Sequence, residues 1–427
     1  MSAIIIFVLL VVLMLTGMPI SISLGLTVLS FLFFLTQVPI ESVALKLFTG
    51  IEKFEIMAIP FFILAGNFLT HGGVAKRMIR FATSMVGHWY GGLGLGGVVA
   101  CALFAAVSGS SPATVVAIGS ILMPAMVKAG FPKRFGAGVI TTSGALGILI
   151  PPSIVMVMYS VSTNTSVGAL FMAGVVPGIV LALMLGLTTW YRARKGNFPR
   201  QPRASWAERW QALRESFWGL MLIVIVMGGI YSGVFTPTEA AAVSAVWAFI
   251  AAVFIYRDLG LKDVPRVLLS SANMSAMLLY IITNAVLFSF LMTSENIPQA
   301  MADGMIGTGV GVVGFLLIAN VLLLLAGNFM EPSAITLILA PILFPIATKL
   351  GIDPVHFGIL MVVNMEVGMC HPPVGINLYV SSGITKMGIT ELTVAVWPWL
   401  LTMLLFLVIV TYWPPLSLWL PKMLGVL

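Results

Sequence analysis

The chain has 427 residues, of which 60% are hydrophobic and only 8% charged, and its net charge is +7. Soluble domains carry about 25% charged residues, so a single soluble core is excluded and nearly all of the chain must lie in or beside lipid. Seven basic residues fall in one segment, Arg192, Arg194, Lys195, Arg200, Arg203, Arg209 and Arg214. That is the mark of a cytoplasmic loop facing membrane lipid, and it does not point to nucleic acid.

The first apolar run, 3–36, has no Lys or Arg before it and no small-residue cleavage site after it, so it does not read as a signal peptide. It exceeds the roughly 20 residues of an upright span. With its pause at Thr16-Gly17-Met18-Pro19 it predicts one strongly tilted or bent helix. Residues 40–55 mix Glu41, Lys46, Glu52, Lys53 and Glu55 with Leu, Val and Phe, as an amphipathic interfacial helix does. A short span over 56–70 is followed by Lys76, Arg77 and Arg80, which predict a cytoplasmic loop. Residues 91–107 form a Gly-rich apolar helix, and small residues permit close helix packing. The polar tip Ser108-Gly109-Ser110-Ser111-Pro112-Ala113-Thr114 follows, and a second apolar arm ends at Lys128 and Gly130. Two short arms around a polar tip predict a re-entrant hairpin near 108–130.

Residues 136–160 read as a helix broken at Pro151-Pro152, with Gly144 and Gly147 just upstream. Proline has no N–H to donate, and the residue before it avoids the helical region. At membrane depth such a break survives only where it is buried in protein or lines a wet cavity. Breaks of this kind are where secondary transporters bind substrate and ions. A span over 167–190 then leads to the basic loop 191–216, which closes the first repeat, 1–216.

The second repeat, 217–427, keeps the order. Spans over 218–235 and 239–256 are joined by Thr236-Pro237-Thr238-Glu239, in which Glu239 reads as a helix-start device, and Arg257, Lys262 and Arg266 follow. Spans over 268–292 and 306–326 precede a second polar tip, Gly327-Asn328-Phe329-Met330-Glu331-Pro332-Ser333, which opens a hairpin near 327–351. A second broken helix, 356–383, carries Pro372-Pro373, and 393–420 is apolar but interrupted by Pro398, Pro414 and Pro415. One offset of 221 residues relates Gly147, Pro151 and Pro152 to Gly368, Pro372 and Pro373. The same offset relates Pro124, Lys128 and Gly130 to Pro345, Lys349 and Gly351, as an internal repeat requires. Equivalent loops carry opposite charge. The segment with Lys76, Arg77 and Arg80 corresponds to 294–305, which has Glu295 and Asp303 but no Lys or Arg; the nearly neutral 36–55 corresponds to the basic 257–266. The repeats are therefore predicted to be inverted, with the N-terminus outside and 191–216 inside. The fold class is an all-α polytopic membrane protein of two inverted repeats, each with a re-entrant hairpin and a broken helix. Cys101 and Cys370 lie in apolar segments and read as packed free thiols.

The ordered motifs SGSSPAT, SGALGILIPPS, FTPTEAAAVSA, AGNFMEPSA and GMCHPPVGINLYV resemble the large membrane subunit of TRAP transporters, the tripartite ATP-independent periplasmic family. The resemblance covers essentially the whole chain. It implies a multi-pass protein of the bacterial inner membrane that imports organic anions with sodium as coupling ion and no cofactor. It also implies two partners, a small four-span membrane subunit and a periplasmic substrate-binding protein, and an elevator-type scaffold around a transport domain.

A sodium ion needs several oxygen ligands. Carbonyls freed by the break at 147–152 and two serine hydroxyls are candidates, and the resemblance implies a sodium site at Ser108, Ser110, Gly147, Ile150 and Pro152. The alternative is that the serines cap helices and the glycines only pack. The pseudo-symmetric sodium site is Gly327, Gly368, His371 and Val374, with Asn328 and Asn364 nearby. The family usually has Thr-Pro-Pro where this chain has His371-Pro372-Pro373. A carbonyl ligand survives that change and a threonine hydroxyl does not. Cys370 beside His371 makes too few ligands for zinc. Substrate is expected between the hairpin tips, where half-helix N-termini favour carboxylates. The candidates are Ser110, Ser111, Thr114, Ser153, Asn328, Glu331, Ser333 and Asn377. Glu331 either faces that cavity, where it would meet substrate, a proton or a cation, or caps the helix that Pro332 begins; Glu366 is a second intramembrane carboxylate.

The substrate class expected is C4-dicarboxylates, with sialic acid or other sugar acids as the alternative within the family. A stand-alone sodium–anion transporter and an intramembrane enzyme are the readings outside it. The enzyme lacks support, because His71, His88, His356 and His371 sit in dissimilar contexts with no paired nucleophile or carboxylate.

Overall fold

The computed structural model describes residues 2–36, 39–307, 309 and 311–427, and every described element is helical. Among the described residues, eight helical stretches are long and apolar enough to cross a membrane. The apolar run 3–36 is two helices rather than one bent helix: α1 (Ser2–Leu15) and α2 (Ile20–Leu35) pack on each other across a turn at Gly17, whose φ is +83°. The interfacial segment is helical only over α3 (Ile40–Thr49) and enters α4 (Ala58–His71) through a 3-10 turn. Lys76, Arg77 and Arg80 lie on a helix, α5 (Val74–Val86), not in a loop; its buried face is Val74, Ala75, Met78, Ile79 and Ala82, spaced as one helical stripe.

The first hairpin is larger than 108–130. Its arms are α6 (Gly92–Ser108) and α7 (Ser111–Lys128), which pack together about Gly109 at φ +60°. The first broken helix is α8 (Lys133–Ser143), a 3-10 turn over Gly144–Ile148, the proline pair and α9 (Ile154–Thr163). Next, α10 (Val167–Lys195) runs past the predicted span end at 190, because its basic last turn faces the carbonyl end of the helix. The basic loop is correspondingly shorter than 191–216. At its far end Ser205 and Glu208 form a capping box that starts α11 (Trp206–Ile223), a device worth about 1 kcal/mol.

A π turn leads from α11 to the short α12 (Gly229–Tyr231). Thr236 and Glu239 form a second capping box at the start of α13 (Pro237–Ile250), so Glu239 is the helix-start device expected of it. A single helix, α14 (Val264–Ser294), fills the next span, and the segment 294–305, read as a loop, holds α15 (Ile297–Gly307). The predicted span 306–326 begins among residues that include 308 and 310, which lie outside the described residues; its helix is α16 (Val312–Gly327). With α17 (Pro332–Lys349) it makes the second hairpin, again larger than 327–351. The second broken helix is α18 (Pro354–Cys370), capped by the Asp353 carboxylate, and α19 (Ile376–Thr385). The chain ends in α20 (Ile389–Tyr412), which passes straight through Pro398, and α21 (Pro415–Met423).

Both proline pairs, Pro151–Pro152 and Pro372–Pro373, are cis. The repeats interlock: α7 of the first hairpin packs on α19 of the second broken helix, and α17 of the second hairpin packs on α9 of the first. Outside this group α4 packs on α13 and α14, and α14 packs on α2. Both cysteines are buried free thiols.

Candidate functional site

Each break presses on the tip of the hairpin in its own repeat. A Cβ on Gly147 would stand 2.5 Å from the Ser110 carbonyl oxygen and 2.8 Å from the Ser111 Cα. In the second repeat a Cβ on Gly368 would stand 2.7 Å from the Gly327 Cα. Glycine is required at both places because main chain meets main chain. The Pro152 carbonyl faces the first tip, 2.9 Å from where a Gly109 Cβ would be.

Around the first tip, Ser108 Oγ lies 2.8 Å from Thr114 Oγ1 and 3.2 Å from the Ser110 carbonyl. The structure thus brings Ser108, Ser110, Gly147 and Pro152 together. Ile150 stands at the edge of the break with its side chain against Gly178 on α10. No hydrogen-bond donor among the described residues reaches the carbonyls of Ile150 or Pro152. Around the second tip, His371 Nδ1 lies 3.1 Å from Asn328 Oδ1; the amide oxygen can only accept, so Nδ1 carries the proton. Gly375 N–H donates to the Asn328 carbonyl at 3.4 Å. Here the carbonyls of Gly327, His371 and Val374 have no donor among the described residues. Unclaimed carbonyls at an unwound segment are the groups that take a hard monovalent cation, so these five fit sodium, whereas the Gly368 carbonyl already accepts from His371 N–H at 3.1 Å and the Ser110 carbonyl from Thr114. No cluster of three or more His, Cys, Asp or Glu with metal-binding geometry occurs among the described residues.

A cavity of about 460 Å³ lies between the two tips. The first residues of α7, α9, α17 and α19 all line it, through Ser111, Ile154, Pro332 and Ile376. Four helix N-termini therefore point their partial positive charge at one space. Of the expected substrate residues, Ser110, Ser111, Glu331 and Ser333 line the cavity. Glu331 occupies the N-cap position of α17 but makes no cap hydrogen bond, and its Oε1 is buried without a partner.

The other expected substrate residues stand behind this wall. Thr114 is fully buried, and its hydroxyl donates to the Ser110 carbonyl at 2.9 Å. Ser153 caps α9, accepting from Met156 N–H at 3.4 Å. Asn328 belongs to the contact with His371 and Gly375. Asn377, fully buried, donates to Ser111 Oγ at 2.7 Å and so ties the second broken helix to the first hairpin. Asn364 donates to Asn320 at 2.8 Å, away from the tip. Glu366 is fully buried with both carboxyl oxygens unpartnered.

The far wall of the cavity, Thr70 and His71 on α4 with Met274 and Met277 on α14, was not legible as part of a site. His71 precedes a basic segment, and that is the one signal it offered. A further contact lies at the opposite end of α4: Lys53 Nζ donates to the Val161 carbonyl at 2.6 Å and to Asn164 Oδ1 at 2.8 Å. Partial burial lowers the Lys53 pKa, against the upward pull of Glu55. These two bonds close the C-terminal end of α9.

The family described as the tripartite ATP-independent periplasmic transporter, DctM component, matches residues 7–416. A C4-dicarboxylate TRAP transporter large permease protein DctM of Rhodobacter capsulatus is 75% identical, with 100% of both chains covered. The protein of the same name from Vibrio cholerae is 50% identical, covering 99% of this chain and 98% of its own. A sialic acid TRAP transporter large permease protein SiaM of Vibrio cholerae is 36% identical, covering 96% of each. Among solved structures, the YdaH transporter of Alcanivorax borkumensis superposes with a TM-score of 0.61 over 89% of this chain and 90% of its own. At 17% identity that likeness shows a shared fold.

Proposed function

The chain belongs to the DctM component family of tripartite ATP-independent periplasmic transporters, and from that premise we propose that it imports C4-dicarboxylates across the bacterial inner membrane, coupled to sodium. The observation that carries this reading is the cavity ringed by four helix N-termini and by Ser110 and Ser333, with Glu331 the one carboxyl among its lining residues. A short dianion suits such a ring with Glu331 neutral, since the helix ends and the Ser110 and Ser333 hydroxyls then hold its carboxylates without a fixed cation. The 75% identical relative carries the C4-dicarboxylate name. Sodium binds at the two tip-and-break contacts, at Ser108, Ser110, Gly147, Ile150 and Pro152 and at Gly327, Gly368, His371 and Val374. Ordering the tips on their breaks there assembles the substrate ring.

The two hairpins and broken helices form the transport domain of an elevator, and α2, α4, α13 and α14 belong to the scaffold. The basic segments 76–80, 192–214 and 257–266 mark the cytoplasmic ends. The cavity meets the scaffold at Thr70 and His71, next to the first of these, so this conformation opens inward. The Lys53 contact closes the outside. Substrate comes from a periplasmic binding protein, and a small membrane subunit completes the carrier.

The test is uptake of radiolabelled succinate into proteoliposomes that contain this chain, the small subunit and the binding protein. Uptake is expected only with an inward sodium gradient and all three proteins. Uptake by this chain alone overturns the tripartite reading; sialic acid uptake without succinate uptake overturns the substrate.

A further inference from the structure

We infer that the groove between α5 and α11 binds the phosphodiester headgroup of an anionic phospholipid. Two adjoining cavities, of about 400 and 460 Å³, share Arg77 and Glu215 as a common wall. Four basic side chains, Lys76, Arg77, Arg80 and Arg214, and two acidic ones, Glu215 and Asp258, line the pair. The acids are already occupied. Asp258 pairs with Arg77, and Glu215 accepts from Arg80 at 2.5 and 2.7 Å and from Gln211 at 3.1 Å. Lys76 and Arg214 are exposed and have no partner among the described residues. The groove therefore holds two cations in surplus, at the level of the basic segments that mark the cytoplasmic face.

The remaining polar groups suit an anion as well. Arg77 is fixed over the Tyr256 ring, 4.0 Å from its centre. Tyr256 Oη accepts from Gly219 N–H at 3.0 Å, which leaves its own proton free to donate. The apolar end identifies the source of the phosphate. Trp218 and Ile255 line the first cavity, and their chain neighbours Phe217 and Phe254 are exposed. Tryptophan at this depth marks the headgroup boundary. An apolar wall continuous with lipid has no use for inorganic phosphate, whereas it seats the glycerol and upper acyl chain of a phospholipid. Basic pockets between helices on the cytoplasmic side take anionic headgroups on this physical basis.

The test titrates the full chain, copurified with its membrane partner, with dioleoyl phosphatidylglycerol under native mass spectrometry. Dioleoyl phosphatidylcholine is the neutral arm and inorganic phosphate the soluble arm. The double variant Lys76→Gln/Arg214→Gln removes two exposed, unpaired charges and leaves no buried group orphaned. It is expected to bind phosphatidylglycerol about thirtyfold more weakly. The control Lys195→Gln/Arg203→Gln makes the same charge change on the neighbouring loop and is expected to keep wild-type affinity. Unchanged binding in the first variant, equal loss in the control, equal binding of phosphatidylcholine, or competition by phosphate would each overturn the proposal.

Discussion

Gly327 and Gly368 lie backbone to backbone: a Cβ on Gly368 would stand 2.7 Å from the Gly327 Cα, and one on Gly327 would stand 2.9 Å from the Gly368 Cα. The first repeat reproduces this contact with Gly147 against Ser110 and Ser111. In the proposed function the two contacts couple ion binding to the substrate ring, since each joins the carbonyls of a break to the tip of a hairpin. A methyl group here has no side chain to displace and must push main chain apart.

Gly147→Ala and Gly368→Ala are accordingly expected to open these contacts at an overpacking cost of about 1–3 kcal/mol, which is about 5–150-fold in apparent sodium affinity. Sodium dependence of uptake, at matched membrane levels and with retained subunit assembly, measures it. An unchanged sodium curve in both variants would show that the contacts shape the helices and bind no ion.

His371 stands where the family usually has threonine, and its imidazole bonds to Asn328 across the second contact. One neutral hydrogen bond is worth about 1 kcal/mol. His371→Thr should therefore transport, with the sodium requirement raised about fivefold at most. Asn328→Ala should show the same modest shift, since it removes the other partner. Abolished transport in His371→Thr alone would assign the imidazole a role beyond this contact.

What the sequence made legible follows from how prolines and glycines punctuate a membrane chain. The two Pro-Pro breaks, the polar tips and the glycines at matching offset stand out because each interrupts apolar sequence. Helix ends are harder to read where polar and charged residues continue a helix past its apolar stretch. The pause at Gly17 is visible but reads as a bend rather than a turn between two helices, the polar and basic end of α10 reads as the start of the loop, and Ile297–Gly307, which has no Lys or Arg, reads as a loop. Serines and asparagines near a tip could be listed, but their directions could not. Thr114, Ser153 and Asn377 turn inward to satisfy buried groups, and so does the Ser111 hydroxyl, which donates to the Gly144 carbonyl at 3.0 Å, whereas Ser110 and Ser333 border the cavity. The far wall at His71 and Met274 comes from distant sequence and carries no motif.

The inverted arrangement predicts opposite sides for Arg200 and Asp303. Arg200→Cys should react with an impermeant thiol reagent from the cytoplasm only, and Asp303→Cys from outside only. The native Cys101 and Cys370 are buried and should stay silent. Asp303 pairs with Lys349 at the surface, and losing such an exposed pair costs about 0–1 kcal/mol, so the fold should tolerate the change. Labelling of both positions from one side would refute inversion.

Lys53 joins the scaffold end of the chain to the end of α9, and in an elevator those two parts separate as the transport domain moves. Its two hydrogen bonds are 2.6 Å to Val161 and 2.8 Å to Asn164, and in the proposed elevator they hold only while the outside is closed. A hydrogen bond from a charged donor is worth about 1.5–3 kcal/mol. Lys53→Gln should therefore shift the balance away from the inward-open state by roughly 10–150-fold. A cysteine at Ala113, on the cavity wall, reports the shift: cytoplasmic labelling should slow in Lys53→Gln and outside labelling should rise. Asn164→Ala removes one of the two acceptors and should move the same rates in the same direction by less. If neither variant alters the side from which Ala113→Cys is labelled, the contact is a helix cap alone and the outside is held closed by other groups.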